Sequence, residues 1–165
     1  HDLNILFGAY HFGNSENGLV QAQHFLRCTG AARGLLRVLD VEENPSDDTI
    51  DLKTAENFVV TIHNETGIWP GLYSKNYLFE LTKGVQDSPL YSCWLWCANY
   101  ESEPVVPAPW KRWVLWQYTD GAQKMVEPMP GLNYCDRNKF NGSLTELKDF
   151  WSEPKIVSKI STQGH

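Results

Sequence analysis

The chain has 165 residues, a formal net charge of -6, 42% hydrophobic residues and 21% charged residues. That length is enough for one domain with its own core, and the balance is ordinary for a globular fold. No Lys/Arg cluster marks a nucleic-acid footprint, and no apolar run approaches the roughly 20 residues of a membrane span. Neither nucleic acid nor membrane is therefore an expected partner. His1 opens no basic and apolar leader, so no signal peptide is expected in this chain.

In chain order, apolar strand-like runs alternate with amphipathic helical ones. Residues 5–12 read as a strand. Residues 16–28 have helical spacing, with Leu19, Ala22, Phe25 and Leu26 on one face. Residues 35–42 are a short run rich in Leu and Val, closed by Asn44-Pro45, and read as a buried strand. Residues 52–66 read as a helix with Ala55, Phe58, Val59 and Ile62 inward, stopped by Gly67. A short strand at 70–74 and a short helix at 76–82 follow. Then come a buried strand at 91–100, a proline-bearing loop at 101–109, a strand at 114–118 and a loop at 121–131. A last short strand is expected at 134–136. Residues 144–151 read as a helix, with Ser143 and Glu146 spaced as a capping box. The expected division is a domain over 1–151 and a loose polar tail over 152–165. Alternating strands and helices argue for a parallel α/β sheet or barrel.

Cys28, Cys93, Cys97 and Cys135 are too few for a disulfide scaffold at this length. The spacing of Cys93 and Cys97 is not the CxxC of zinc or redox sites, so free, mostly buried thiols are expected. His11, His24 and His63 show no ligand spacing. No metal and no cofactor are expected.

The most informative stretch is 35–43, where an apolar strand ends in acid. Side chains in a strand alternate faces, so Asp40 and Glu42 point the same way, roughly 7 Å apart. The C-terminal lip of a buried strand is where barrel enzymes place catalytic groups. Neighbouring acids raise one another's proton affinity, so one can stay protonated while the other is ionised. Glycoside hydrolysis needs that division of labour. Glu42 is assigned the acid role, protonating the leaving oxygen. Asp40 is assigned the ionised role, stabilising positive charge or holding the substrate's own N-acetyl group as nucleophile. The bland reading is two solvated acids at a strand end. Tyr10 and His11 also close a strand and should share that rim. Trp94, Trp96 and Tyr100 share one strand face, and Trp116 and Tyr118 share another. Each set is either a stacking platform for sugar rings or filling for a barrel interior. Asp136, near Asn138, follows the last strand as a further rim carboxylate.

These pieces occur in the order of a known family. "FGAYHFG" at 7–13, "QAQHFL" at 21–26, "LDVEENP" at 39–45, "PGLYS" at 70–74, "LWCANY" at 95–100, "WQYTDG" at 116–121 and "CDRNKF" at 135–140 resemble glycoside hydrolase family 25, the muramidase-type lysozymes of phages and bacteria. The resemblance covers nearly the whole chain to about Trp151. It implies a flattened TIM-like (β/α) barrel that cleaves the β-1,4 bond between N-acetylmuramic acid and N-acetylglucosamine in peptidoglycan. It implies Glu42 as proton donor, Asp40 as assisting carboxylate and Asp136 as the acid after the last strand. It places Tyr10, Trp96 and Tyr118 in the cleft, and His11, Tyr73, Tyr100 and Trp116 complete the expected substrate-binding set. Chitinases also end a strand in D-x-E but expect an Asp two positions earlier, where this chain has Val38.

The family pattern opens with two strands, the first carrying an Asp, before the "GAYHF" strand. Here the pattern begins at that third strand, so an N-terminally truncated barrel is expected. Exposed sheet edges pair readily, which predicts a homodimer through the open edge or closure by the chain's own tail. The expected partner is peptidoglycan glycan, met at the bacterial wall after secretion or phage release. The alternative is a truncated, catalytically impaired relative that only binds the glycan.

Overall fold

The computed structural model describes residues 6–30, 34–46, 48–121, 127–131 and 133–152. The elements, in order, are β1 (Gly8–Phe12), α1 (Gly18–Thr29), β2 (Leu36–Asp40), α2 (Leu52–Thr66), β3 (Gly71–Ser74), α3 (Tyr77–Leu81), a 3-10 turn (Pro89–Ser92), β4 (Trp94–Ala98), β5 (Leu115–Thr119), β6 (Arg137–Phe140) and α4 (Leu144–Ser152). The strands form one sheet in chain order. β1 to β5 run parallel, and β6 is antiparallel to β5.

Local chemistry sets the helix ends. Asn17 caps α1 by accepting from the backbone N–H groups of Leu19 and Val20. Asp51 caps α2 by accepting from Thr54, and Gly67 ends it in the left-handed conformation at φ 72°. Ser143 and Glu146 bond reciprocally at the start of α4, as their spacing predicts. The buried stripe of α1 is Gly18, Gln21, Ala22 and Phe25. Leu19, expected inward, lies one position off that stripe and is exposed. Gly18 lies against α2, where an added Cβ would collide with the carbonyl oxygen of Thr54.

Both faces of the sheet are apolar, so β2 is buried at all five positions, as parallel sheets require. The outer layer packs Leu39, Val41, Leu72, Leu95 and Cys97 against Phe25 of α1 and Phe58, Val59 and Ile62 of α2. The inner layer gathers Leu36, Val38, Trp94 and Val114, with Phe140, Phe150 and Trp151 against them. Cross-sheet contacts show that the sheet curls. Tyr73 of β3 reaches Gln117 of β5, and Trp96 of β4 reaches Asn138 of β6.

The result is a curled half-barrel, where the sequence predicts a flattened barrel. Its ends, β1 and β6, are not paired with each other. Between them lies a groove of about 340 Å³, lined by Tyr10, Val38, Trp96, Phe140, Leu147 and Trp151 among others. The Trp151 indole donates to the Phe7 carbonyl at 2.9 Å, which ties α4 to the start of β1. The last strand differs most from expectation. It lies at Arg137–Phe140 and runs antiparallel, whereas the sequence reading places it at 134–136 in a parallel sheet. A parallel return needs a crossover, usually a helix, and the described residues between β5 and β6 contain none. The expected tail over 152–165 lies outside the described residues except for Ser152, the last residue of α4.

Cys93 and Cys97 are free and buried, as expected. Cys28 is free but exposed, and Cys135 is free and half-buried.

Candidate active site

The C-terminal ends of the parallel strands form one rim, and the antiparallel β6 brings its N-terminal end to the same rim. Asp40 is the last residue of β2. Its neighbours in register are Phe12 of β1 and Tyr73 of β3. The backbone around it is tied on both sides. Gly13 donates to the Asp40 carbonyl at 3.0 Å, and Val41 donates to the Tyr73 carbonyl at 2.8 Å. The Asp40 side chain faces the inside of the curl. It is 7% exposed, and its Oδ1 has no hydrogen-bond partner. Glu42 lies two residues on and is half-buried. Val41 between them is fully buried in the outer layer, so the alternation of faces continues past the end of β2.

Burial, and then the charge of Glu42, push the Asp40 carboxyl up to about 7. Burial also raises Glu42, but the Lys75 ammonium opposes that rise. The sequence reading gives the proton to Glu42 and the charge to Asp40, whereas in the free chain burial raises both acids. The reason is local. An orphaned carboxylate oxygen has no donor to stabilise its anion, whereas Glu42 has a cation nearby. Burial therefore favours the neutral form of Asp40 in the free chain.

The floor of the site is aromatic and amide. Tyr73 meets Trp96 edge to face at 5.0 Å between ring centroids. The Trp96 indole donates to Asn138 Oδ1 at 2.7 Å. The Tyr73 hydroxyl donates to Gln117 Oε1 at 2.5 Å and is hydrogen-bonded to Tyr100. Burial, and next the Glu42 charge, hold Tyr73 well above the ordinary phenol range. Lys75 lies 5.3 Å from the centroid of the Tyr100 ring. Asp136 is exposed at the rim, where its charge reaches Tyr100, as does that of Asp120.

Asp40, Glu42, Asp136, Tyr73, Trp96 and Tyr100 are thus brought together, and the other expected residues are not. Tyr10 is on the inner face but pairs with Val38, one inward-facing position below Asp40, so it lines the groove and not the rim. His11 points the other way. It stacks on Phe58 of α2 at 5.2 Å and lies 3.0 Å from Gln21 Oε1 of α1. Trp116 and Tyr118 also face outward. Trp116 packs on Trp113 and donates to the Asn99 carbonyl at 2.7 Å, and Lys139 lies over both rings. The inward residue of β5 at the level of Tyr73 is Gln117, 4% exposed, which the sequence reading passes over. A lone amide inside an aromatic strand is the signal that could have found it. Asn138, Lys75 and Phe12 are further neighbours that no motif singles out as contributing to the site.

A curled α/β sheet thus carries an acid pair and aromatic walls at its C-terminal rim, the kinds of group that glycoside hydrolysis by two carboxylates uses. The family model of the glycosyl hydrolases family 25 matches residues 1–125. The chain belongs to that family. It is similar to lysozyme M1 of Streptomyces globisporus, 31% identical, with 89% of this chain and 53% of the relative covered. The chain thus spans about half the length of that curated relative. Among solved structures it is similar to a bacterial lysozyme from Streptomyces coelicolor, with TM-score 0.73 and 26% identity. That match covers 91% of this chain and 73% of the other. It is also similar to a family GH25 lysozyme from Aspergillus fumigatus, with TM-score 0.69 and 27% identity, covering 90% and 74%.

Proposed function

We propose that this chain hydrolyses peptidoglycan as a muramidase, cutting the β-1,4 bond between N-acetylmuramic acid and N-acetylglucosamine. The observation that carries the reading is the orphaned Oδ1 of Asp40 beside Glu42. A substrate acetamido N–H donated to that oxygen stabilises the Asp40 anion, and the proton of the pair then belongs to Glu42. Glu42 gives it to the leaving glycosidic oxygen as the C1–O bond breaks. The acetamido carbonyl oxygen bonds to C1, with its N–H held by Asp40. Water then attacks C1, loses its proton to the Glu42 carboxylate and releases the acetamido group. Two carboxylates and water suffice, so no cofactor is assigned. Asp136 is the third acid of this reading. Tyr73, Trp96 and Tyr100 supply the sugar-facing surface, and the place of action is the bacterial wall after secretion or phage release. Among the described residues β1 is an edge strand with Tyr10 and Phe12 exposed, and an edge of that kind favours pairing with a second copy.

The test is digestion of purified peptidoglycan by the chain and by Glu42→Gln, followed by analysis of new reducing ends. Muramic-acid reducing ends from the parent alone are expected. A Glu42→Gln variant with full activity would sink the acid assignment. A second reading, a glycan binder without turnover, draws on the open groove beside the rim. Glycan retained by both proteins with no cleavage by either would favour it.

A further inference from the structure

A lysine ammonium stands on the aromatic wall of the acid site, unpaired among the described residues. Lys75 is the first residue after β3, two positions beyond Tyr73. Asp40 pairs with Tyr73 in register, and Val41 donates to the Tyr73 carbonyl at 2.8 Å, so the two chains still run side by side as they leave the sheet. Glu42 and Lys75 each follow two residues beyond a member of that pair, on neighbouring strands. The Lys75 ammonium lies 5.3 Å from the centroid of the Tyr100 ring, and Tyr100 is hydrogen-bonded to Tyr73, which places the charge at the site wall. Asp40, Glu42, Asp120 and Asp136 all lie within electrostatic reach of Tyr73 or Tyr100. Lys75 nevertheless makes no ion pair and no hydrogen bond among the described residues, and it is exposed. An ammonium has three protons to give, and those of Lys75 are left to solvent or to a ligand.

We propose that Lys75 is a specificity-determining residue of the glycan site: it takes a carboxylate carried on the lactyl arm of N-acetylmuramic acid, and so selects anionic over neutral amino-sugar chains. N-acetylmuramic acid is N-acetylglucosamine with a lactyl ether on O3, and C3 is bonded to the carbon that bears the acetamido group. With that acetamido N–H on Asp40, the arm leaves the ring one carbon away, within reach of a flexible four-carbon side chain on the neighbouring strand. A polymer of N-acetylglucosamine alone offers the same acetamido group but no acid, so Asp40 and Glu42 by themselves do not tell the two glycans apart. In peptide-free glycan the acid is the lactyl carboxylate itself. Where a stem peptide is joined to it, the peptide's own carboxylates are the anions, and to an ammonium the chemistry is the same. A lysine that served only to hold Glu42 charged would act equally on anionic and neutral chains. This selection rests on the muramidase reading of the acid pair, but its test reads binding and not turnover.

The experiment is calorimetric binding to the full chain carrying Glu42→Gln, which suppresses turnover, and to the same chain with Lys75→Met or Lys75→Arg added. The ligands are a tetrasaccharide of alternating N-acetylglucosamine and N-acetylmuramic acid with free lactyl carboxylates, its methyl ester, the same tetrasaccharide bearing stem peptides, and a tetrasaccharide of N-acetylglucosamine alone. The free acid is expected to bind about fivefold tighter than its ester, the upper end for an exposed ion pair, and high salt should erase the difference. Lys75→Met should remove that preference and leave binding of the ester and the neutral chain unchanged, whereas Lys75→Arg should keep it. A loss in Lys75→Met seen only with the peptide-bearing ligand would support the selection and assign the carboxylate to the stem peptide. An equal loss for acid, ester and neutral chain, or no loss for any of them, would overturn the proposal. Such charge-blind binding by a chain that still cleaves peptidoglycan would leave the muramidase reading standing alone. Charge-selective binding by a parent that does not cleave would sink the muramidase reading and keep the role of Lys75, and no binding of any glycan would remove both.

Discussion

At the residue scale, the free energy of Asp40 is the clearest consequence of the site. Its carboxyl is raised from an ordinary value of 3.8 to about 7 in the folded chain. The folded state therefore binds that proton more tightly than the unfolded one. The stability this supplies is full below about pH 4 and is lost as pH rises through 7. Asp40→Asn removes the charge without changing the shape. It should leave stability nearly unchanged at pH 3 and raise it by about 4 kcal/mol at pH 8, an order-of-magnitude figure from about 1.4 kcal/mol per pH unit. Urea unfolding at the two pH values checks this, and equal effects at both would refute it. The same residue shows what was legible in the sequence. Asp40 and Glu42 are two positions apart on one strand, so alternation alone places them together. Trp116 and Tyr118 also alternate together, but alternation does not say which face is inward. The deciding residue is Gln117, whose amide has to find a partner once buried, and that partner is on β3. His11 is misplaced in the sequence reading for the same reason: its strand is correct, but the helices claim the face it stands on.

At the element scale, the legible parts are those with local punctuation. The bounds of α2 follow from Asp51 and Gly67, and the start of α4 from Ser143 and Glu146. Strand β6 is displaced in the sequence reading because Arg-Asn-Lys-Phe carries no apolar alternation; it is a strand because β5 pairs with it. Helix packing supplies a second expected outcome. Gly18 begins α1 where it crosses α2, and an added Cβ would meet the backbone of Thr54 and Phe58. Backbone cannot give way as a side-chain tip can. Gly18→Ala is therefore expected to destabilise the chain by about 2 kcal/mol, although alanine is the better helix former. Because α1 and α2 pack behind β1 and β2, loss of their fit should also loosen the strand that carries Asp40. Thermal unfolding of the variant measures the effect, and an unchanged or higher midpoint would show that the helices separate without cost.

At the scale of the whole molecule, the order of strands and helices through β5 was legible because those elements carry hydrophobic patterns of their own. The openness of the sheet is a property of the two ends together. β1 and β6 each pair on one side only among the described residues, and α4 covers the bottom of the interior through Phe150 against Trp94 and Trp151 against Phe7. The rest of the inner wall near β1 stays in contact with solvent. Tyr10 is 66% exposed and Phe12 41%. Among the described residues β1 is an edge strand, short and without a charged residue, and such a strand lacks the devices that keep sheet edges apart. Two copies of β1 can meet antiparallel about a two-fold axis, each supplying the ladder the other lacks and covering the other's aromatic rings. Sedimentation velocity across a concentration series is expected to show a reversible dimer. Tyr10→Lys places a charge on the inner wall without touching the acid pair, and it should shift the chain to monomer at every concentration. A parent that sediments as a monomer throughout would mean that edge pairing does not outweigh the entropy of association. A Tyr10→Lys variant that still dimerises would place the contact elsewhere on the molecule.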